Sequence, residues 1–114
     1  MTIELPYPPS VNHYWRHVGP RVLISREGRR FRDRVGAILA ASQIVRLDGP
    51  LTVTINLYPP DNRRRDVDNA MKALLDSLQH GGAYIDDSQI VKLNIEKFAA
   101  LPGGKTIVCI EERQ

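Results

Sequence analysis

Apolar and polar positions alternate strictly through "LTVTINLY", residues 51–58. Leu51, Val53, Ile55 and Leu57 point one way; Thr52, Thr54, Asn56 and Tyr58 point the other. That period of two predicts a half-buried strand built from good β-formers and ended by "PPDN". "IVKLNIEKF", residues 90–98, repeats the pattern with Val91, Leu93 and Ile95 on the expected inner face. "PGGK" then signals a turn, and "TIVCIE", residues 106–111, is expected to return as the second strand of a hairpin. A short strand over residues 2–5 is expected to stop at Pro6.

Two stretches switch to a helical period. Ser25 is a plausible N-cap for a helix to about Gln43, with Phe31, Val35, Ile38 and Ser42 on one face and Leu39 beside it. A second helix is expected from Asn69 to Gln79, with Met71, Leu74, Leu75 and Leu78 inward and Gly81 or Gly82 ending it. The prolines of "PYPPSVNHYWRH" exclude regular helix and central strand, so an ordered loop is expected there, anchored by Tyr14 and Trp15. The order strand, helix, strand, helix, strand, strand predicts an α/β (α+β) fold. It is one mixed β-sheet of about four or more strands with two main helices, in a single small domain of 114 residues.

Composition narrows the function classes. Apolar residues make up 42% and charged residues 25%, the balance of an ordinary soluble protein. No apolar run approaches the ~20 residues needed to cross a bilayer. "MTIELPYPPS" lacks a signal-peptide pattern, so a cytoplasmic location is expected. Cys109 is the single cysteine, which excludes an intrachain disulfide and a cysteine-based zinc site. His13, His17 and His80 are scattered and read as loop polars.

Charge changes the picture more. The net charge is +3 and the sequence pI about 9.3. Arg16, Arg21, Arg26, Arg29, Arg30, Arg32 and Arg34 cluster in one stretch, and Arg63, Arg64 and Arg65 in another. Arginine grips phosphate oxygens in a planar, bidentate fashion, so a nucleic-acid or phosphate partner is expected. On the first helix Arg26, Arg30 and Arg34 form a stripe beside the apolar face.

"RRRDVDNAMKALLD", residues 63–76, sets the strongest positive charge against the strongest negative. Asp66 and Asp68 are two apart, so an extended backbone turns both carboxylates to one side. Lys72 and Asp76 follow Asp68 in helical steps of four, away from the apolar face. "YIDDSQI" adds Asp86 and Asp87 before the next strand, and pairing of that strand with the first would bring them to the same end of the sheet. Gathered carboxylates repel one another unless a divalent cation sits between them, and magnesium takes such oxygen ligands. One ion, or two about 4 Å apart, would activate water against a phosphodiester. Lys72 would stabilise charge on the phosphate, and the arginines would hold the flanking backbone. Each part also has a plain reading. Asp68 can be an N-cap, Lys72 can sit in a surface ion pair worth ~0.3–0.5 kcal/mol, and Asp86 and Asp87 can form a solvated turn.

Taken in order, "LPYPPSVNHYWR", "SREGRRFRDRV", "RRRDVDNAMKALLDSL" and "YIDDSQI" cover nearly the whole chain. The set resembles the RusA-like Holliday junction resolvases of bacteria and their prophages. The resemblance implies a homodimeric endodeoxyribonuclease that cuts four-way DNA junctions symmetrically, in recombination and repair. It implies Mg2+ as cofactor, with Mn2+ able to substitute, and no small-molecule cofactor beyond the metal. The carried-over catalytic residues are Asp66, Asp68, Asp87 and Lys72. The metal set is Asp66, Asp68 and Asp87, with Asp86 in support. The expected DNA-binding residues are Arg63, Arg64, Arg65, Arg26, Arg30, Arg34 and Asn69. Two other readings stand beside it. A non-catalytic dimeric DNA-binding module would explain the arginines but not the aspartates. A metal-dependent transferase or phosphohydrolase acting on nucleotides would lack a glycine-rich phosphate loop here.

Overall fold

A computed structural model describes residues 1–113. Strand β4 (Leu51–Tyr58) is the spine of the fold: its inward row Leu51, Val53, Ile55 and Leu57 is buried and its outward row half-buried. It lies in a four-stranded sheet of order β1-β6-β4-β5, with β1 Thr2–Leu5, β5 Ile90–Lys97 and β6 Lys105–Glu112. Helices α2 (Arg26–Ala41) and α3 (Met71–His80) cover one face of that sheet. Phe31, Val35 and Leu39 from α2 meet Leu74 and Leu78 from α3 in the core. Ser25 caps α2 as its spacing requires, its side chain accepting from the Gly28 N–H at 2.9 Å. No helix among the described residues is long and apolar enough to cross a membrane.

Three expectations change. First, β5 and β6 are not a hairpin. β4 lies between them, parallel to β5 and antiparallel to β6, while β6 also pairs with β1. Phe98 donates to Leu57 O at 2.8 Å and Leu101 to Pro59 O at 2.8 Å, so the connection hugs the end of β4 and crosses to its other side. The strand richest in buried side chains takes the centre, and the lysine-bearing β5 is left at the edge.

Second, Val91 and Leu93 are not core residues, although Leu93 is in register with buried Val53. The helical layer stops short of β5, and they remain 56% and 38% exposed.

Third, the N-terminal "loop" is partly ordered. Its prolines act only as far as Pro9. Beyond Ser10 the chain forms a single helical turn, α1 (Val11–Tyr14), and then a hairpin of β2 (Trp15–Val18) and β3 (Arg21–Ile24). The two-residue turn needs a positive φ at its first position, which Gly19 adopts at 59°.

Candidate active site

The arginine run is shaped by Asp61, a residue the sequence reading treated only as part of a strand-ending turn. Its carboxylate accepts from Arg65 Nη1 at 2.7 Å and from the Arg63 N–H at 3.0 Å. The Arg65 bond, followed by the Arg63 backbone bond, holds the Asp61 carboxyl well below its usual range. The D-x-R-x-R spacing was the available signal. Arg65 also lies over the Tyr7 ring, 5.8 Å from its centroid, so it is a loop staple as well as a cation.

A groove of about 620 Å³ opens beside this loop. Six of the seven residues expected to hold DNA line it: Arg30, Arg34, Arg63, Arg64, Arg65 and Asn69. Arg26 does not. Asp66 lines it too, as does Glu27, so cations and carboxylates share one opening.

Asp66 and Asp68 belong to a 3-10 turn, Val67–Ala70, that leads into α3. The helix itself therefore starts at Met71, two residues after the expected Asn69. Neither plain reading of this segment appears. Asp68 is not an N-cap: Asp66 holds the cap position of the turn and Ala70 that of α3, and neither makes a side-chain cap bond. Lys72 forms no ion pair among the described residues, and its Nζ is 5.9 Å from the centre of the Trp15 ring. Asp76 accepts a hydrogen bond from the hydroxyl of buried Tyr14, so it ties the N-terminal turn to α3.

Asp86 and Asp87 lie at the opposite end of the sheet, a correction to the expected shared end. β4 and β5 run parallel, with Leu51 beside Ile90 and Leu57 beside Lys97. The chain leaves β4 toward Asp66, where Lys97 Nζ donates to Arg65 O at 3.0 Å. It reaches Asp86 and Asp87 before entering β5 at the other end. Two glutamines hold them there. Gln89 Nε2 donates to Gly49 O at 2.9 Å while its Oε1 accepts from the Asp86 N–H at 2.9 Å. Gln79, near the end of α3, accepts from the Asp87 N–H at 3.0 Å. Ser88 bonds to the Asp86 carboxylate and keeps its pKa below the ordinary value. The ten residues of α3, roughly 15 Å, separate the two acidic ends. Consistently, no group of three His, Cys, Asp or Glu among the described residues is gathered for a metal ion.

Tyr84 is buried and donates to Leu75 O at 2.7 Å. Burial pushes its phenol far up, and Asp87, Asp76 and Asp86 add to the shift. Burial, then the Asp76 hydrogen bond, likewise raises Tyr14 to about 12. Both phenols are held protonated by the fold, so their stabilisation is complete below the ordinary value of 10.0. It is lost as pH rises from there through the folded values. Denaturation measured from pH 9 to 12 should show stability falling above pH 10, and Tyr14→Phe should flatten that fall. A flat wild-type profile would contradict the arrangement.

The model of the family described as "Endodeoxyribonuclease RusA" matches residues 6–111. The chain belongs to the RusA endodeoxyribonuclease family. Its curated RusA relatives match over almost the full length. One is the crossover junction endodeoxyribonuclease rusA of Enterobacteria phage 82, 40% identical over 111 residues, 96% of this chain and 92% of that one. The RusA proteins of Escherichia coli K12 and Shigella sonnei Ss046 are 38% and 39% identical over 112 residues, each match covering 97% of this chain and 93% of the relative. Within this RusA-family chain, Asp66, Asp68 and Asp87 carry side chains with no ion pair among the described residues, although 16 Lys and Arg are present.

Proposed function

We propose that this chain is a metal-dependent endodeoxyribonuclease that resolves four-way DNA junctions by symmetric paired incision. The observation that carries the reading, beside family membership, is an arginine-lined groove that also holds the carboxylate of Asp66, which makes no ion pair among the described residues. A carboxylate facing a phosphate backbone repels it unless a cation intervenes.

The donors suit magnesium chemically, being hard carboxylate oxygens left free of lysine and arginine. Asp66, Asp68 and Asp87 would hold the ion, with Asp86 in support through the turn it caps. When bound, the metal supplies a water of lowered pKa and charge neutralisation at the scissile phosphate. Manganese has the same ligand preference and is expected to substitute. Arg30, Arg34, Arg63 and Arg64 hold the backbone of the strand in the groove. Lys72, exposed in the first turn of α3 at its Asp66–Asp68 end, stabilises charge developing on the phosphate. Asp76 is already engaged by Tyr14 and serves to place the helix.

One chain keeps its two acidic ends apart, and a homodimer accounts for that. β5 is an open edge with exposed apolar residues. Two copies joined along it in antiparallel fashion would set the Asp86–Asp87 end of one beside the Asp66–Asp68 end of the other. Such a dimer has two-fold symmetry, as does a four-way junction, and offers one site to each of two opposed strands. The setting would be the cytoplasm of a bacterium, with the protein encoded by the cell or by a phage.

The test is cleavage of a synthetic four-way junction and a matched linear duplex, in Mg2+ and in EDTA. Paired nicks confined to the junction and dependent on Mg2+ are expected. Tight binding with no cut in any divalent metal would leave a DNA-binding module instead.

A further inference from the structure

The β2–β3 hairpin carries Arg16 and Arg21, the two arginines of the first cluster that precede α2, and neither lines the groove. Its root is clamped. Trp15 and Ile24 pack against the core, and the Ser25 N–H donates to Tyr14 O at 2.9 Å. A side chain added at Gly28 would come within 2.6 Å of that same Tyr14 oxygen, so α2 sits directly against the root. Beyond the root the hairpin stands free, and its two strands pair only with each other. A lone two-stranded hairpin is marginal in water unless something covers it.

Its cross-strand pairs show what that something is. Arg16 lies opposite Leu23, His17 opposite Val22, and Val18 opposite Arg21. Every pair beyond the root thus joins one basic and one apolar residue on the same side of the ribbon. Val18, Val22 and Leu23 are exposed, and Val22 is 55% exposed. No Asp or Glu occurs between Glu4 and Glu27. A wholly apolar partner surface would leave the two arginines unpaired, and a purely solvated hairpin gains nothing from valines near its tip. Nucleic acid with unstacked bases takes both: cations for phosphates, and apolar wedges against base faces. Where four helices meet, the stack is interrupted, and a base step opens there at lower cost than inside a duplex.

We infer that the β2–β3 hairpin is an arm that enters the branch point of four-way DNA, with Val18 and Val22 against the open base pairs and Arg16 and Arg21 on the flanking phosphates. The inference rests on the junction substrate proposed above. Trp15, at the root, also lies beside Lys72, so the arm is physically continuous with the α3 face that carries the lysine.

The experiment uses a junction with 2-aminopurine beside the branch point, in EDTA so that nothing is cut. Wild-type protein should raise the fluorescence as the base unstacks. The double variant Val18→Ser/Val22→Ser, at saturating concentration, should lose that rise. Its junction affinity should fall about tenfold toward the duplex value, while duplex affinity changes less than about twofold. Both positions are exposed, so an unchanged melting temperature is expected and serves as the folding control. A full fluorescence rise with the variant overturns the arm. Wild-type protein that binds junction and duplex equally and gives no rise overturns the substrate reading, and the arm with it.

Discussion

Asp66→Asn, Asp68→Asn and Asp87→Asn should each slow junction cutting by about 10²–10³-fold or more, while junction binding stays intact or tightens. The substitution is nearly isosteric, so the fold has little to repair. It removes a hard anionic donor and, at the same stroke, a charge that repels phosphate. Cutting and binding should therefore move apart, which is the signature of a metal-held site. Single-turnover cleavage and metal-free gel-shift assays on the same variants read the two quantities. A variant that cuts at the wild-type rate strikes that carboxylate from the ligand set. Asp86→Asn is the informative neighbour. Asparagine caps a turn as well as aspartate does, so the Ser88 bond survives. A loss of cutting there would mark Asp86 as a ligand, and full activity would leave it as a cap.

Leu93→Glu should convert the proposed dimer into a monomer, weakening association by at least about 100-fold, and should abolish paired incision with all four aspartates in place. The geometry is specific enough to test by register. Phe98 donates its N–H to β4, and N–H direction alternates along a strand, so Leu93 and Ile95 present their backbone groups to the open edge. In the proposed dimer, a two-fold axis at Asn94 would set Leu93 opposite Ile95 and Lys92 opposite Glu96 of the second copy. Lys92→Glu and Glu96→Lys should each weaken the dimer by roughly threefold to tenfold, and the double variant should restore it. Sedimentation without DNA reads this apart from catalysis. A Leu93→Glu protein that still sediments as a dimer, or a double variant as weak as the singles, would place the interface elsewhere.

The sequence by itself determined the elements governed by local rules. Strict alternation located β4, Ser25 marked the start of α2, and the apolar spacing of Met71, Leu74 and Leu78 placed α3. The ordered motifs were enough to point to the RusA family, since residue type and spacing are properties of the chain. What needed the tertiary structure was everything that depends on which segments become neighbours. Alternation shows that a strand has an inner face, but not whether a helix covers it, so Val91 and Leu93 were misjudged. A turn signal shows where the chain bends but not which edge it reaches, so β6 went to the far side of β4. The hairpin beyond Pro9 was hidden because the prolines before it dominated the reading. The direction of a strand pair is equally invisible in residue order. The parallel pairing of β4 and β5 decides that Asp66 and Asp87 of one chain lie at opposite ends of the sheet.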